Sequence, residues 1–100
     1  EHDSPAGAFW TLYGHLGGSL PRLCAPGARV AAGDVIAHLG DWPENGGWAA
    51  HIHFQIMSSM LAQTGGNFFG VGHASLWDVW SDICLDPNLL LRADPRAFTV

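Results

Sequence analysis

Glycine occupies 13 of the 100 positions of this chain, and the segments between glycines are short and rich in aromatic and branched residues. Tight turns at that density suit a mostly β architecture better than a bundle of helices. With 48% of its residues hydrophobic, the chain can bury a core, and its length allows at most one small domain. Phe9-Trp10-Thr11-Leu12-Tyr13-Gly14-His15 reads as a strand. Asp3-Ser4-Pro5-Ala6 with Gly7 reads as a turn, making Glu1-His2 the stump of a hairpin partner. Ala25 to Ala37 holds two short apolar arms around a turn at Gly33-Asp34, and Leu39 closes the second arm. Gly40 to Gly47 is a long loop, and Ala50 to Met57 alternates as a second strand.

The C-terminal third changes character. Gly65 to Gly72 is a glycine- and phenylalanine-rich loop. Ser75-Leu76-Trp77-Asp78 has capping-box spacing, with Ser75 as N-cap and Asp78 three residues on. Leu76, Val79, Trp80 and Ile83 then recur at helical spacing, which predicts a short amphipathic helix over 76–84, with Trp80 facing a core. Asp86-Pro87 marks a second helix start before Asn88-Leu89-Leu90-Leu91.

Charge and composition exclude several function classes. The formal net charge is −5, and the four basic residues are the scattered arginines Arg22, Arg29, Arg92 and Arg96. They make no phosphate-tracking patch, so nucleic acid is not an expected partner. No apolar run approaches the roughly 20 residues that span a bilayer, so no membrane segment is expected. Cys24 and Cys84 lack metal-like spacing and read as two unpaired thiols. With Glu1 rather than methionine at its start, the chain reads as a piece of something longer. Strands missing before it would leave an exposed sheet edge and a tendency to self-associate.

The residues that carry chemistry are histidines. Side chains at i and i+2 of a strand share a face, so His51 and His53 would point the same way with Cβ atoms about 6–7 Å apart. Ile52 and Phe54 would anchor the opposite face in a core. His15 closes the other strand and would join the pair if the two strands are neighbours. Three imidazoles on one sheet face are costly to bury without partners, which favours a functional site over a packed core.

Tyr13-x-His15-Leu16, Gly27-x-x-Val30-x-x-Gly33-x-x-Ile36, the Gly40 loop and His51-Ile52-His53-Phe54, in that order, resemble the signature of lysostaphin-type zinc metallopeptidases. The resemblance spans about residues 9 to 57. It implies a compact antiparallel sheet of the barrel-sandwich or duplicated-hybrid type, here truncated at its N-terminus and followed by a short C-terminal helix. It also implies His53 as a zinc ligand, His15 and His51 as the catalytic pair, and a peptide or cell-wall peptide as substrate. A catalytic zinc keeps three protein ligands and one water, whose pKa it lowers toward about 7. A neighbouring imidazole, with an ordinary pKa near 6.5, is suited to move the proton. The family's other two ligands come from an upstream H-x-x-x-D motif. His2 and Asp3 cannot replace it, because adjacent strand residues point to opposite faces. One zinc ligand of three is therefore expected in this chain, with weak zinc binding and no hydrolysis by the chain alone.

Trp42-Pro43-Glu44-Asn45-Gly46-Gly47-Trp48 and Cys84 to Leu91 resemble the middle domain of large bacterial proteins. Those proteins join a phosphotransferase-like kinase domain, a lysostaphin-type domain and a class III pyridoxal-phosphate aminotransferase. That resemblance implies residues 1–74 as the end of the peptidase domain and residues 75–100 as a helical extension toward a following domain. It favours a cytoplasmic address over the cell envelope or secretion, with any pyridoxal phosphate bound outside this chain. Gly27 to Leu39 also resembles half of a biotinyl or lipoyl carrier, but such a carrier needs a modifiable lysine and this chain has none. A non-catalytic peptide- or glycan-binding module and a structural spacer are the remaining alternatives. Among the other histidines, His38 reads as structural, His73 as a loop residue before the helix, and His2 as a frayed terminus. Trp42 and Trp48 read as core or rim packing, with walls of a substrate groove as the alternative, and Asp41 and Glu44 as solvated loop residues or acceptors orienting an imidazole.

Overall fold

The structure is a computed structural model and describes residues 1–98. Strands β1 (His2–Ser4), β2 (Gly7–Gly14), β3 (His53–Met57) and β4 (Cys84–Leu85) form a four-stranded antiparallel sheet in the order β1-β2-β3-β4. Three short helices accompany it: α1 (Leu20–Leu23), α2 (Trp77–Ile83) and α3 (Asn88–Leu91). At 22% helix and 21% strand the fold is small and mixed, where the glycine content had suggested a mostly β chain. The chain divides into two units, one of Glu1–Leu12 with the chain from Phe54 onward, the other Tyr13–His53.

In the first unit, β1 and β2 form the expected hairpin, with His2 opposite Phe9 and Ser4 opposite Gly7. The Ser4 hydroxyl donates to the Gly7 carbonyl (2.7 Å) and accepts from Ala6 N (3.2 Å), closing the turn. Gly7 sits at φ +118°, which a residue with a Cβ rarely adopts. His2 is held rather than frayed: its Nε2 lies 2.7 Å from Thr11 Oγ1 and its ring stacks on Phe9. β3 pairs with β4 through Ile56–Leu85 and Met57–Cys84. Ser58 extends the join, its N–H donating to the Ile83 carbonyl and its hydroxyl to the Asp82 carbonyl (2.9 Å each).

The buried apolar side chains are Ile56, Met57 and Phe68, at 3%, 1% and 7% exposure. Ile56 and Met57 are sequential and point to opposite faces, so both faces of β3 are covered there. Phe68 meets Phe69 edge to face and Phe69 meets Trp80 at a tilt, with ring centroids 5.5 Å apart at each step. Gly72 lies so close to the Trp80 indole that a Cβ would meet its Nε1 at 2.4 Å. That approach leaves Trp80 Nε1 buried with no hydrogen-bond partner.

The helix starts differ from the sequence expectation. Ser75 does not cap α2; it lies in a 3-10 turn (Ala74–Leu76) whose N-cap is His73, and Leu76 takes the cap position of α2. Ser75 sits inside that turn rather than at a cap position, and its N–H and hydroxyl both contact His73 Nδ1. α3 forms where read but starts one residue later, with Pro87 rather than Asp86 at the cap position, and the Asp86 carboxylate accepts from Asn88 N at 2.8 Å. Cys24 and Cys84 are both free.

The arms around Gly33-Asp34 account for much of the missing strand. The turn forms, with Asp34 N donating to Ala31 O and Ala31 N to the Asp34 carboxylate. The arms do not pair, and Val30 and Val35 stay exposed. A strand needs an apolar face to cover it, and β-propensity alone does not supply one. Met57→Ala should lower stability by about 2–5 kcal/mol, read as a drop in the urea midpoint. Val71→Ala, at a side chain 90% exposed, should stay within about 0.5 kcal/mol of the wild type.

Candidate functional site

The three histidines all belong to the Tyr13–His53 unit. The His15 and His51 rings lie with centroids 4.5 Å apart at 36°, and the His15 and His53 rings 6.0 Å apart at 37°. His15 and His53 are half-buried and His51 is exposed. The site expected from sequence is therefore brought together, by a route that differs in detail. β3 begins at His53, so His51 lies in irregular chain before the strand and shares no strand face with it. Ile52 is exposed and anchors nothing.

His15 leaves the end of β2 at φ +62°, in the left-handed region. Histidine enters that region more readily than branched residues, at a local cost of about 1–3 kcal/mol. Gly14 permits the close approach just before it, since a Cβ there would stand 3.1 Å from the His53 Cβ. The segment after His15 is tied to the one around His38. Leu16 bridges Leu39, Gly17 N donates to His38 O (2.9 Å) and Gly40 N donates to His15 O (2.8 Å). His38 thus contributes its backbone, and its side chain is exposed. Gly40 cannot readily be replaced, because a Cβ would meet His15 O at 3.0 Å and Leu16 O at 3.2 Å.

The Asp41–Ala49 loop, whose pattern says only that it is a loop, fixes the other side of the site. Asn45 is 1% exposed and makes five contacts of its carboxamide with the surrounding backbone. The loop ends at Ala49, whose carbonyl lies 2.7 Å from His51 Nδ1. A carbonyl can only accept, so Nδ1 carries the hydrogen, and in the neutral ring Nε2 is then the acceptor. Neither Asn45 nor Ala49 is distinguishable in sequence from an ordinary turn residue; Asn45-Gly46-Gly47 carries only a loop signal.

Glu44 does not orient an imidazole. Its carboxylate accepts from Gly18 N (2.9 Å) and Asp41 N (3.1 Å), stapling the loop to the segment after His15. Trp42 and Trp48 are 67% and 68% exposed, so neither packs into a core.

Among the described residues, no group of three or more His, Cys, Asp or Glu side chains is placed to hold a metal ion. The described residues therefore do not make up a zinc site of three protein ligands. In the first unit, a cleft of about 550 Å³ is lined by Ile56, Trp77, Trp80, Cys84 and Leu85 among others. Burial pushes the Cys84 thiol up, partly offset by a hydrogen bond with Gln55, so at neutral pH it is a protonated thiol rather than a nucleophile. No described helix is long and apolar enough to cross a membrane.

The Glu44 carboxyl is held below its ordinary value of 4.5 first by the Gly18 N–H and then by the Asp41 N–H, with slight opposition from desolvation. A carboxyl lowered by folding stabilises the fold above its unfolded pKa, and that contribution is lost as pH falls through the lowered value. The thermal midpoint should therefore decline on acidification below the ordinary glutamate range, and Glu44→Gln should flatten that decline.

The chain matches no protein-family model, no curated protein and no solved structure.

Proposed function

We propose that this chain carries the proton-handling side of a lysostaphin-type peptidase site, with His15 and His51 as the acid–base pair and His53 as one zinc donor. The observation that supports this is the placement of the His15 ring 4.5 Å from His51 and 6.0 Å from His53, by centroids. The ordered motif from Tyr13 to Phe54 gives that cluster its family assignment. On this reading the sheet is the remainder of a duplicated-hybrid barrel-sandwich fold, and the ligand is a peptide.

His51 is prepared for the role by its surroundings. With Nδ1–H donated to Ala49 O, Nε2 is the atom that takes a proton from an attacking water and returns it to the departing amine. His15, beside it, donates to or shields the charge that develops on the substrate. Zinc, when bound, polarises the carbonyl and acidifies water. This chain offers His53 and needs two further ligands from elsewhere, so by itself it hydrolyses nothing.

A second reading draws on the absence of any three-donor group among the described residues. The same face would then bind a peptide without cleaving it. Zinc separates the two. Calorimetric titration of the 100-residue chain should show binding weaker than micromolar that disappears in His53→Ala. A tight one-to-one site would contradict the one-donor assignment. In a longer chain that supplies the remaining ligands, His51→Ala should slow peptide hydrolysis by about 10²–10⁴-fold with zinc content unchanged. Zinc content at one equivalent with no hydrolysis by the unsubstituted chain would favour the binding module.

A further inference from the structure

We infer that Asn45 is the positioning residue of the His15–His51 pair, and that it sets the tautomer of His51. The inference rests on the proposal that these two imidazoles handle the proton, and it concerns how the chain holds them.

Asn45 stands between the two backbone segments that carry the pair. Its Nδ2 donates to Gly40 O (3.1 Å) and to Trp48 O (2.8 Å). Its Oδ1 accepts from Trp48 N (2.9 Å) and Gly47 N (3.1 Å). A longer contact of 3.5 Å runs from Nδ2 to Ala49 O. Two hydrogens on Nδ2 are matched by Gly40 and Trp48, so the Ala49 contact is the lesser one. On the Gly40 side, the same peptide segment donates its N–H to His15 O at 2.8 Å. On the Trp48 side, the next carbonyl, Ala49 O, receives His51 Nδ1 at 2.7 Å. One buried side chain thereby connects Gly40, whose N–H holds the His15 carbonyl, to Trp48, whose neighbour Ala49 holds the His51 ring.

The side-chain chemistry is specific. The site presents two carbonyls on one side of the carboxamide and two N–H groups on the other, so only a group with both donors and acceptors in that geometry fits. Aspartate has the acceptors and no donors when ionised, and would set a carboxylate against two carbonyls. Alanine leaves Gly40 O, Trp48 O, Gly47 N and Trp48 N without their partner. Either change releases Trp48 from the side chain and removes the longer contact to Ala49 O, so the adjoining Ala49–Ala50 peptide is free to turn and its carbonyl no longer faces His51 Nδ1.

Nitrogen-detected NMR of the imidazoles tests this. In the wild-type chain at a pH where His51 is neutral, Nδ1 should be protonated and Nε2 bare. In Asn45→Ala the His51 signals should shift toward the Nε2–H tautomer that unconstrained imidazole prefers. His73, whose ring is engaged by Ser75 through contacts of 2.8 and 3.3 Å, should keep its wild-type signals, which separates the effect from general loosening. Retention of the pure Nδ1–H form of His51 in folded Asn45→Ala would overturn the inference. Should that variant not fold, the wild-type carboxamide decides: its protons should exchange far more slowly than those of the half-buried Asn88, and equal rates would overturn it. The tautomer is read without turnover. Its loss in Asn45→Ala supports the positioning role whether or not any peptide is hydrolysed, and an absence of hydrolysis bears on the peptidase proposal alone.

Discussion

The carboxamide of Asn45 is the interaction on which the Tyr13–His53 unit depends. That unit contains no buried large apolar side chain, and Asn45 is its largest fully buried one. An apolar cluster would hold such a unit by area alone and would tolerate sliding. A carboxamide satisfied on both sides holds it by direction, because each unmade bond to a buried polar group costs about 1–3 kcal/mol. Directional bonding is what a site made of three imidazoles needs, since a proton moves only between atoms at hydrogen-bond distance and angle.

The two units accordingly use different physics. The first is organised by burial, with Ile56 and Met57 covered on both faces of β3 and an aromatic chain from Phe68 to Trp80. The second is organised by backbone hydrogen bonds: Gly40 to His15, Gly17 to His38, and the Glu44 and Asn45 side chains to the loop around them. Glycines at 14 and 40 are required where those segments touch. Chemistry and stability are thus largely separated in the chain, and substitutions in the Phe68–Trp80 cluster are expected to act on stability more than on the histidines.

Much of this was legible in the sequence, for identifiable reasons. The strand through Tyr13, the hairpin with His2, the turn at Gly33-Asp34 and the helix after Asp86-Pro87 are encoded in local residue types, and each forms. The meeting of His15 with His51 and His53 was expected only if their two strands were neighbours; β2 and β3 are neighbours, and the rings lie 4.5 and 6.0 Å apart by centroids. What failed were inferences that needed a partner. The arms around Gly33 had the pattern of strands and no face to bury against. Ser75 had capping spacing, yet a 3-10 turn capped by His73 takes it in and leaves Leu76 at the cap of α2. His51 was placed on a strand face by alternation, whereas a hydrogen bond to Ala49 from outside the strand places it. Asn45 could not be found by pattern at all, because its role is defined by Gly40 and Trp48 and not by its sequence neighbours' type.

The central claim is that His15 and His51 form one pair in space. Proton–proton NOEs between their imidazole rings measure this directly. With ring centroids 4.5 Å apart, cross-peaks between His15 and His51 ring protons should be strong, with weaker ones from His15 to His53. Absence of any His15–His51 cross-peak in the folded chain would contradict the account.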